Sequence, residues 1–269
     1  MQGITTCAES QLQSLHGVNS SFVMSDRFHI GAVQVNSGER VELCPEESRH
    51  LLRVMRARAG AVVGLFGGGR EYQARLCGEG SPAVLEIISE IPALPEPGIS
   101  VTAAIPWIKG GRTELVIQKL TELGVHGFIV FHALREVVRA DTGKLMRLRR
   151  VVLEACKQSG RANVPLVVEA ADLVDVFQSA GIGPGASFLL HEQERVLLFT
   201  DALRAAGVGP GGKSPPILVA SGPEGGLDPA ETGRAREHCT PVTLGARILR
   251  AETAPVAAMV AALAVAGEM

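Results

Sequence analysis

The stretch SGPEGGL at 221–227 sets three glycines and a proline around one carboxylate, Glu224, just after the apolar run PPILVA. Glycine loops that follow strands let a ligand approach the backbone closely, and many of them hold phosphates on exposed N–H groups. This loop is poorly suited to that task. It lacks the Lys and Ser/Thr of a triphosphate loop and the GxGxxG spacing of a dinucleotide loop. Glu224 would also repel phosphate oxygens. A ligand with a cationic centre and no phosphate meets no such objection, and S-adenosylmethionine fits, with a sulfonium and an amino group. The plainer reading is a tight turn in which Glu224 caps a neighbouring backbone amide.

Two further loops carry groups with chemical potential. LLHE (189–192) ends an apolar run in a histidine and a glutamate, and LGARILRAETA (244–254) gathers Gly245, Arg247, Arg250 and Glu252. Two arginines and a carboxylate beside a cofactor loop suit an anionic nucleic-acid substrate; a salt-bridged turn is the alternative. Metal chemistry is not expected. The seven histidines show no HxxxH or HExxH spacing. The five cysteines (Cys7, Cys44, Cys77, Cys156, Cys239) include no CxxC pair, and an odd, unpatterned set favours a reducing cytosol over disulfides or zinc.

These loops need a scaffold, and from about residue 100 strands and helices alternate. SVTAAIP, GFIVFH, LVVEA, SFLLHE, ILVAS and VTLG read as strands. Helices are expected over RTELVIQKLTELG, 142–159, near 172–180, 195–206 and 229–238, and over ETAPVAAMVAALAVAG. Within 142–159 Leu145, Leu148, Val152 and Cys156 recur at helical spacing. Asp228, Pro229 and Glu231 spell an N-cap, a first-turn proline and a capping-box acid. Such alternation predicts a parallel sheet covered on both faces, in which ligands bind beyond the carboxyl ends of strands.

Before this region the pattern is β. RFHIGAVQV, VELC, AVVGLFG, EYQARLC and AVLEIIS are separated by turn signals, with a helix over PEESRHLLRVMRA. There Leu51, Leu52 and Met55 are expected to face a core while Arg49, Arg53 and Arg56 line another side. A small barrel bearing one basic helix follows, suited to binding. The proline-rich SEIPALPEPGIS (89–100) reads as a linker, giving units of 27–95 and 96–269. Residues 1–26 are expected to form a disordered extension, or in part to lie upstream of a start at Met24.

The net charge of −2 hides local basic stretches at 48–60 and 142–165, and local faces, more than global charge, attract a phosphate backbone. No apolar run reaches the length of a membrane span, and the first residues lack a secretory signal. A cytoplasmic protein is expected.

Taken together, GPEGGL (222–227) and LGARILRAETA (244–254) resemble the RsmE family of ribosomal RNA uridine-N3 methyltransferases in the SPOUT (α/β-knot) superfamily. So do RFHI (27–30), HLLRVMRARAG (50–60), KGGRTELVIQKLTELGV (109–125) and EACKQSGRANVP (154–165). The resemblance implies a PUA-like RNA-binding barrel, then a methyltransferase domain whose C-terminal loops form a trefoil knot. It implies a homodimer with the alanine-rich last helix in the interface, and 16S ribosomal RNA or the small subunit as substrate.

By the same resemblance the cofactor, S-adenosylmethionine, would be held around Leu190, His191, Glu192, Gly222, Pro223, Glu224, Gly225, Gly226, Leu244, Gly245, Ile248 and Leu249. Arg250 would lead catalysis, with Arg161 and Asn163 in support from elsewhere in the dimer and Glu252 or His191 as base. Arg27, His50, Arg53, Arg56, Lys109 and Arg112 would contact RNA. The chain departs from the family pattern at FGGGREY (66–72), at ALREVVRA (133–140) and in its leading extension, which bears on RNA contacts more than on reaction class. The alternatives are a related methyltransferase acting on another base or on ribose, and a silent RNA-binding assembly protein.

Overall fold

The computed structural model describes residues 26–135, 142–211 and 214–269. The expected extension up to residue 25 and the part of ALREVVRA at 136–140 lie outside the described residues. The N-terminal unit is one five-stranded sheet: β1 (Arg27–His29), β2 (Arg40–Glu42), β3 (Val62–Gly67), β4 (Arg70–Leu76) and β5 (Val84–Ile91), in the order β1-β3-β4-β5-β2. All pairings are antiparallel except β1 with β3. Alternation explains the sheet, because Tyr72, Ala74 and Leu76 of β4 and Leu85 and Ile87 of β5 point to one core. The helix α1 (Pro45–Arg49) runs on into a π-helical turn, His50–Val54, and buries Leu51 against that core.

Two strand boundaries differ from expectation. RFHIGAVQV supplies only β1, because Gly31 turns the chain at a φ of +75°. β5 continues to Ile91, inside the predicted linker, where its pairing with β4 still satisfies the backbone. The turn FGGGR also has a local cause: a Cβ on Gly67 would fall 1.8 Å from the Gly31 carbonyl oxygen, so only glycine lets the two loops meet.

The C-terminal unit is a six-stranded, wholly parallel sheet: β6 (Val101–Pro106), β7 (Gly127–Phe131), β8 (Leu166–Ala170), β9 (Ser187–Leu190), β10 (Ile217–Ala220) and β11 (Thr240–Val242), in the order β11-β9-β10-β6-β7-β8. Helices α2 (Arg112–Glu122), α3 (Thr142–Ser159), α5 (Phe199–Ala205) and α7 (Thr253–Ala266) pack on one face through residues such as Val116, Val152, Leu203 and Met259. Helices α4 (Leu173–Ser179) and α6 (Pro229–Ala235) cover the other through Val176, Phe177 and Ala235. The strands divide their side chains accordingly: Phe188 and Leu190 go to the first core, Leu189 to the second.

The last strand is TPV and not the expected VTLG; only Val242 is common to both. Pro241 is tolerated because β11 lies at the sheet edge, where its missing donor breaks no ladder. The strand order has one consequence for function. The chain leaves β8 on one side, returns to β9 on the other, inserts β10 and closes at the edge with β11. The carboxyl ends of β9, β10 and β11 are therefore neighbours, and the three loops singled out in the sequence emerge side by side. Among the described residues no helix is long and apolar enough to cross a membrane.

Candidate active site

The three loops enclose a cavity of about 550 Å³. Its walls begin where the strands stop. His191 N–H donates to the Val242 carbonyl at 3.1 Å, Ser221 N–H to Ala104 at 3.1 Å, and Thr243 N–H to Leu197 at 2.9 Å, so each loop leaves the sheet anchored. The loop after β9 is shaped by Glu194, whose carboxylate accepts the N–H groups of Arg195, Val196 and Leu197. Those backbone donors, Val196 first, hold its carboxyl below the usual range. In the loop after β10, Gly226 has a φ of +67°, and a Cβ there would lie 2.6 Å from Glu192 Oε1. The positive φ, which side chains rarely adopt, is the reason for glycine here, since the exposed Glu192 carboxylate could move aside. Beyond the loop, the Asp228–Glu231 capping box starts α6 as expected.

Electrostatics sort the lining into two signs. Arg112, in the first turn of α2, reaches the β10 loop at Glu224 Oε1 (3.2 Å) and approaches Glu252 Oε1 (3.9 Å) in the loop before α7. One guanidinium thus ties two loops of the cavity together. Glu224 accordingly faces an arginine, where a backbone amide was the alternative. Arg195, Arg247 and Arg250 also line the cavity. Three buried polar atoms within the lining, His191 Nδ1, Ser221 Oγ and Glu252 Oε2, have no partner among the described residues. Unsatisfied buried groups are uncommon, and three converging on one cavity mark a place where a polar ligand completes the bonding. Carboxylates, arginines, unpaired polar atoms and glycines open to close approach suit a ligand of mixed polarity.

The structure gathers most of the residues singled out in the sequence. Leu190, His191, Glu192, Gly222, Pro223, Glu224, Gly225, Gly226, Leu244, Gly245, Ile248 and Leu249 all line the cavity, together with Arg250 and Glu252. Arg112, expected on RNA, is part of the same wall. Two expectations are corrected. Arg161 is buried and does not line the cavity of its own chain, and its guanidinium is bonded to Glu96 and to the carbonyls of Thr121 and Val125. Its guanidinium is thus committed to structural contacts, not to a substrate. Arg27 is likewise buried, bonded to Glu71 and to main-chain carbonyls of the C-terminal unit, so it is not on a phosphate-binding surface.

Asn163 is exposed beside Gly69 of the barrel and outside the cavity lining of its own chain. His50, Arg53, Arg56 and Lys109 are exposed, the first stacking edge-on against Phe28 at 5.9 Å. Sequence reasoning missed Arg195, Ser221 and Thr243 as cavity residues. Ser221 opens the very heptapeptide it belongs to and could have been included; nothing near Arg195 marks it.

The chain matches a family profile described as RNA methyltransferase domain over residues 95–263, and one described as RNA methyltransferase PUA domain over 43–86. It is similar to the ribosomal RNA small subunit methyltransferase E of Synechocystis, with 35% identity covering 90% of this chain and 78% of that protein. The enzyme of the same name from Bacillus subtilis is 33% identical, covering 84% of this chain and 90% of its own. Among solved structures, the ribosomal RNA small subunit methyltransferase E of Neisseria gonorrhoeae bound to S-adenosyl methionine superposes with a TM-score of 0.73. The identity is 29%, over 90% of this chain and 98% of that one.

Proposed function

The chain belongs to the ribosomal RNA small subunit methyltransferase E family, and from that premise we propose that it methylates N3 of a uridine in small-subunit ribosomal RNA, using S-adenosylmethionine. The observation that carries this reading is the cavity itself. Its glycine turns admit a ligand against the backbone, and its His191, Ser221 and Glu252 atoms, without a partner among the described residues, await hydrogen bonds. When bound, the cofactor supplies an electrophilic methyl group.

The remaining chemistry falls to the chain. N3 of uridine carries a proton at neutral pH and is a poor nucleophile until that proton leaves. Arg250, exposed and lining the cavity, would donate to a uracil carbonyl oxygen and stabilise the negative charge that develops there. Glu252 and His191 both line the cavity, and either can accept the N3 proton. Arg112, bridging Glu224 and Glu252, holds two of the loops in register, and alignment is the main source of acceleration in a displacement of this kind.

The barrel, with His50, Arg53 and Arg56 exposed, would grip the RNA. We further place the protein in the cytosol, as a dimer whose C-terminal loops are knotted. Helix α7 supports the dimer. One face packs on the core through Ala258, Met259, Ala262 and Leu263, yet the opposite face, with Val260 and Ala264 exposed, is also apolar. A second copy would cover it, and sedimentation velocity at micromolar concentration should give the mass of two chains.

The central test has two parts. Calorimetric titration should show S-adenosylmethionine binding and no heat from ATP or NAD. Mass spectrometry of small-subunit RNA from cells with and without the protein should show one 3-methyluridine lost. Binding of ATP or NAD in the cavity, or an unchanged modification map, would overturn the reading.

A further inference from the structure

The seam between the two units contains charged groups that the cavity chemistry does not use. Arg27, at the start of β1, is 6% exposed. A guanidinium offers five N–H donors in a rigid fork, and this one meets five acceptor atoms. Both oxygens of Glu71 on β4 accept from it, at 2.9 and 3.3 Å. The other acceptors are main-chain carbonyls of the C-terminal unit: Cys156 at 2.9 Å, Lys157 at 3.4 Å and Arg161 at 3.2 Å. Cys156 and Lys157 belong to the last turn of α3, whose carbonyls find no partner within the helix. A cation there is also favoured by the helix dipole. Phe66 of β3 lies under the guanidinium at 4.5 Å and packs in the core of the C-terminal unit.

The same end of α3 is held from other directions. Lys157 Nζ lies 2.6 Å from Glu47 of α1. Gly69 N–H donates to the Ala162 carbonyl at 3.3 Å, where a Cβ on Gly69 would press on Asn163 at 3.0 Å. Arg161 fixes this loop to the linker through Glu96 and to the chain around the end of α2 through Thr121 and Val125. A flexible domain joint has no use for so many directional, buried polar contacts.

We infer that Arg27 is a positioning residue that locks the barrel onto the C-terminal end of α3 and so fixes where RNA gripped by the barrel meets the cavity. The inference rests on the RNA-methylation reading above. Lysine cannot replace Arg27 here, because an ammonium has three donors on one point and cannot serve a carboxylate and three carbonyls together.

Arg27→Lys tests the lock, with Glu47→Gln as a second lesion on the same seam should the first fail to fold. Three quantities are measured: cofactor affinity, RNA affinity across a salt series, and the single-turnover methylation rate. Cofactor and RNA affinities and the salt slope should stay within about twofold, while the rate falls by about tenfold or more, as expected for misplacement remote from the chemistry. A phosphate-contacting role for Arg27 would instead weaken RNA binding and make its salt dependence shallower; that result, or an unchanged rate in a folded variant, overturns the inference. If the wild-type protein itself fails to methylate RNA, the functional reading falls, and the seam is judged by amide exchange alone. Faster exchange in 66–73 and 155–164 of the variants supports the lock, and unchanged exchange rejects it.

Discussion

At the scale of single residues, Arg250 is where the proposed function would separate binding from chemistry. It stands at the rim of the cavity, exposed, while the glycine turns and the buried ends of β9 and β10 form the deeper wall. Arg250→Ala should therefore leave S-adenosylmethionine affinity within about twofold yet cut methyl transfer by about a hundredfold or more, the scale of losing one preorganised donor to a developing oxyanion. Calorimetry and single-turnover kinetics on the same preparation would check both halves. The proton acceptor is found by comparing Glu252→Gln with His191→Asn. Each keeps a polar side chain and removes a base. The acceptor is the one whose loss costs about a hundredfold or more in rate at saturating cofactor. If both variants turn over normally, neither takes the proton, and N3 loses it to water.

At the scale of elements, the sequence was most readable where local chemistry decides structure. Asp228, Pro229 and Glu231 announced the start of α6, and the capping box is present with Asp228 accepting from Ala230 N–H at 2.9 Å. Asp228→Ala should cost about 1 kcal/mol, visible as a lower melting temperature. Because α6 follows directly on the GPEGGL turn, cofactor affinity should drop in the same variant. The basic helix was equally legible: Leu148, Val152 and Cys156 are buried at the predicted spacing. What escaped were features settled by partners remote in sequence. Pro241 reads as a breaker until β11 is known to be an edge strand. Arg27 reads as a surface cation until its contacts with Glu71, 44 positions on, and Cys156, 129 positions on, are seen. Arg161 misled in the same way, since Glu96 is 65 residues upstream. The cavity wall was legible because strand-end loops announce themselves through glycine and proline; the seam was not, because an arginine looks alike in sequence whether solvated or buried.

At the scale of the whole molecule, the two units are joined by ionic as well as apolar contacts, and such joints respond to pH. Burial by itself would pull the Lys157 ammonium below its ordinary value of 10.5, but Glu47 and Glu154 more than offset this, and its pKa is raised. A lysine whose folded pKa exceeds its unfolded one contributes stability that is fully present below the unfolded value. That contribution disappears as pH rises through the folded value. Stability should thus be insensitive to this pair from neutrality to about pH 10 and decline above it. Lys157→Met should abolish that alkaline decline and, at pH 7, lower stability by about 3 kcal/mol, because Glu47 is left buried without its cation. Adding Glu47→Gln should restore much of the loss, since the uncompensated charge is then gone. Urea unfolding of the wild type and both variants between pH 7 and 11 measures all three effects. Equal alkaline slopes in wild type and Lys157→Met would show that the seam is held by its apolar contacts around Phe66, with the ion pair a bystander.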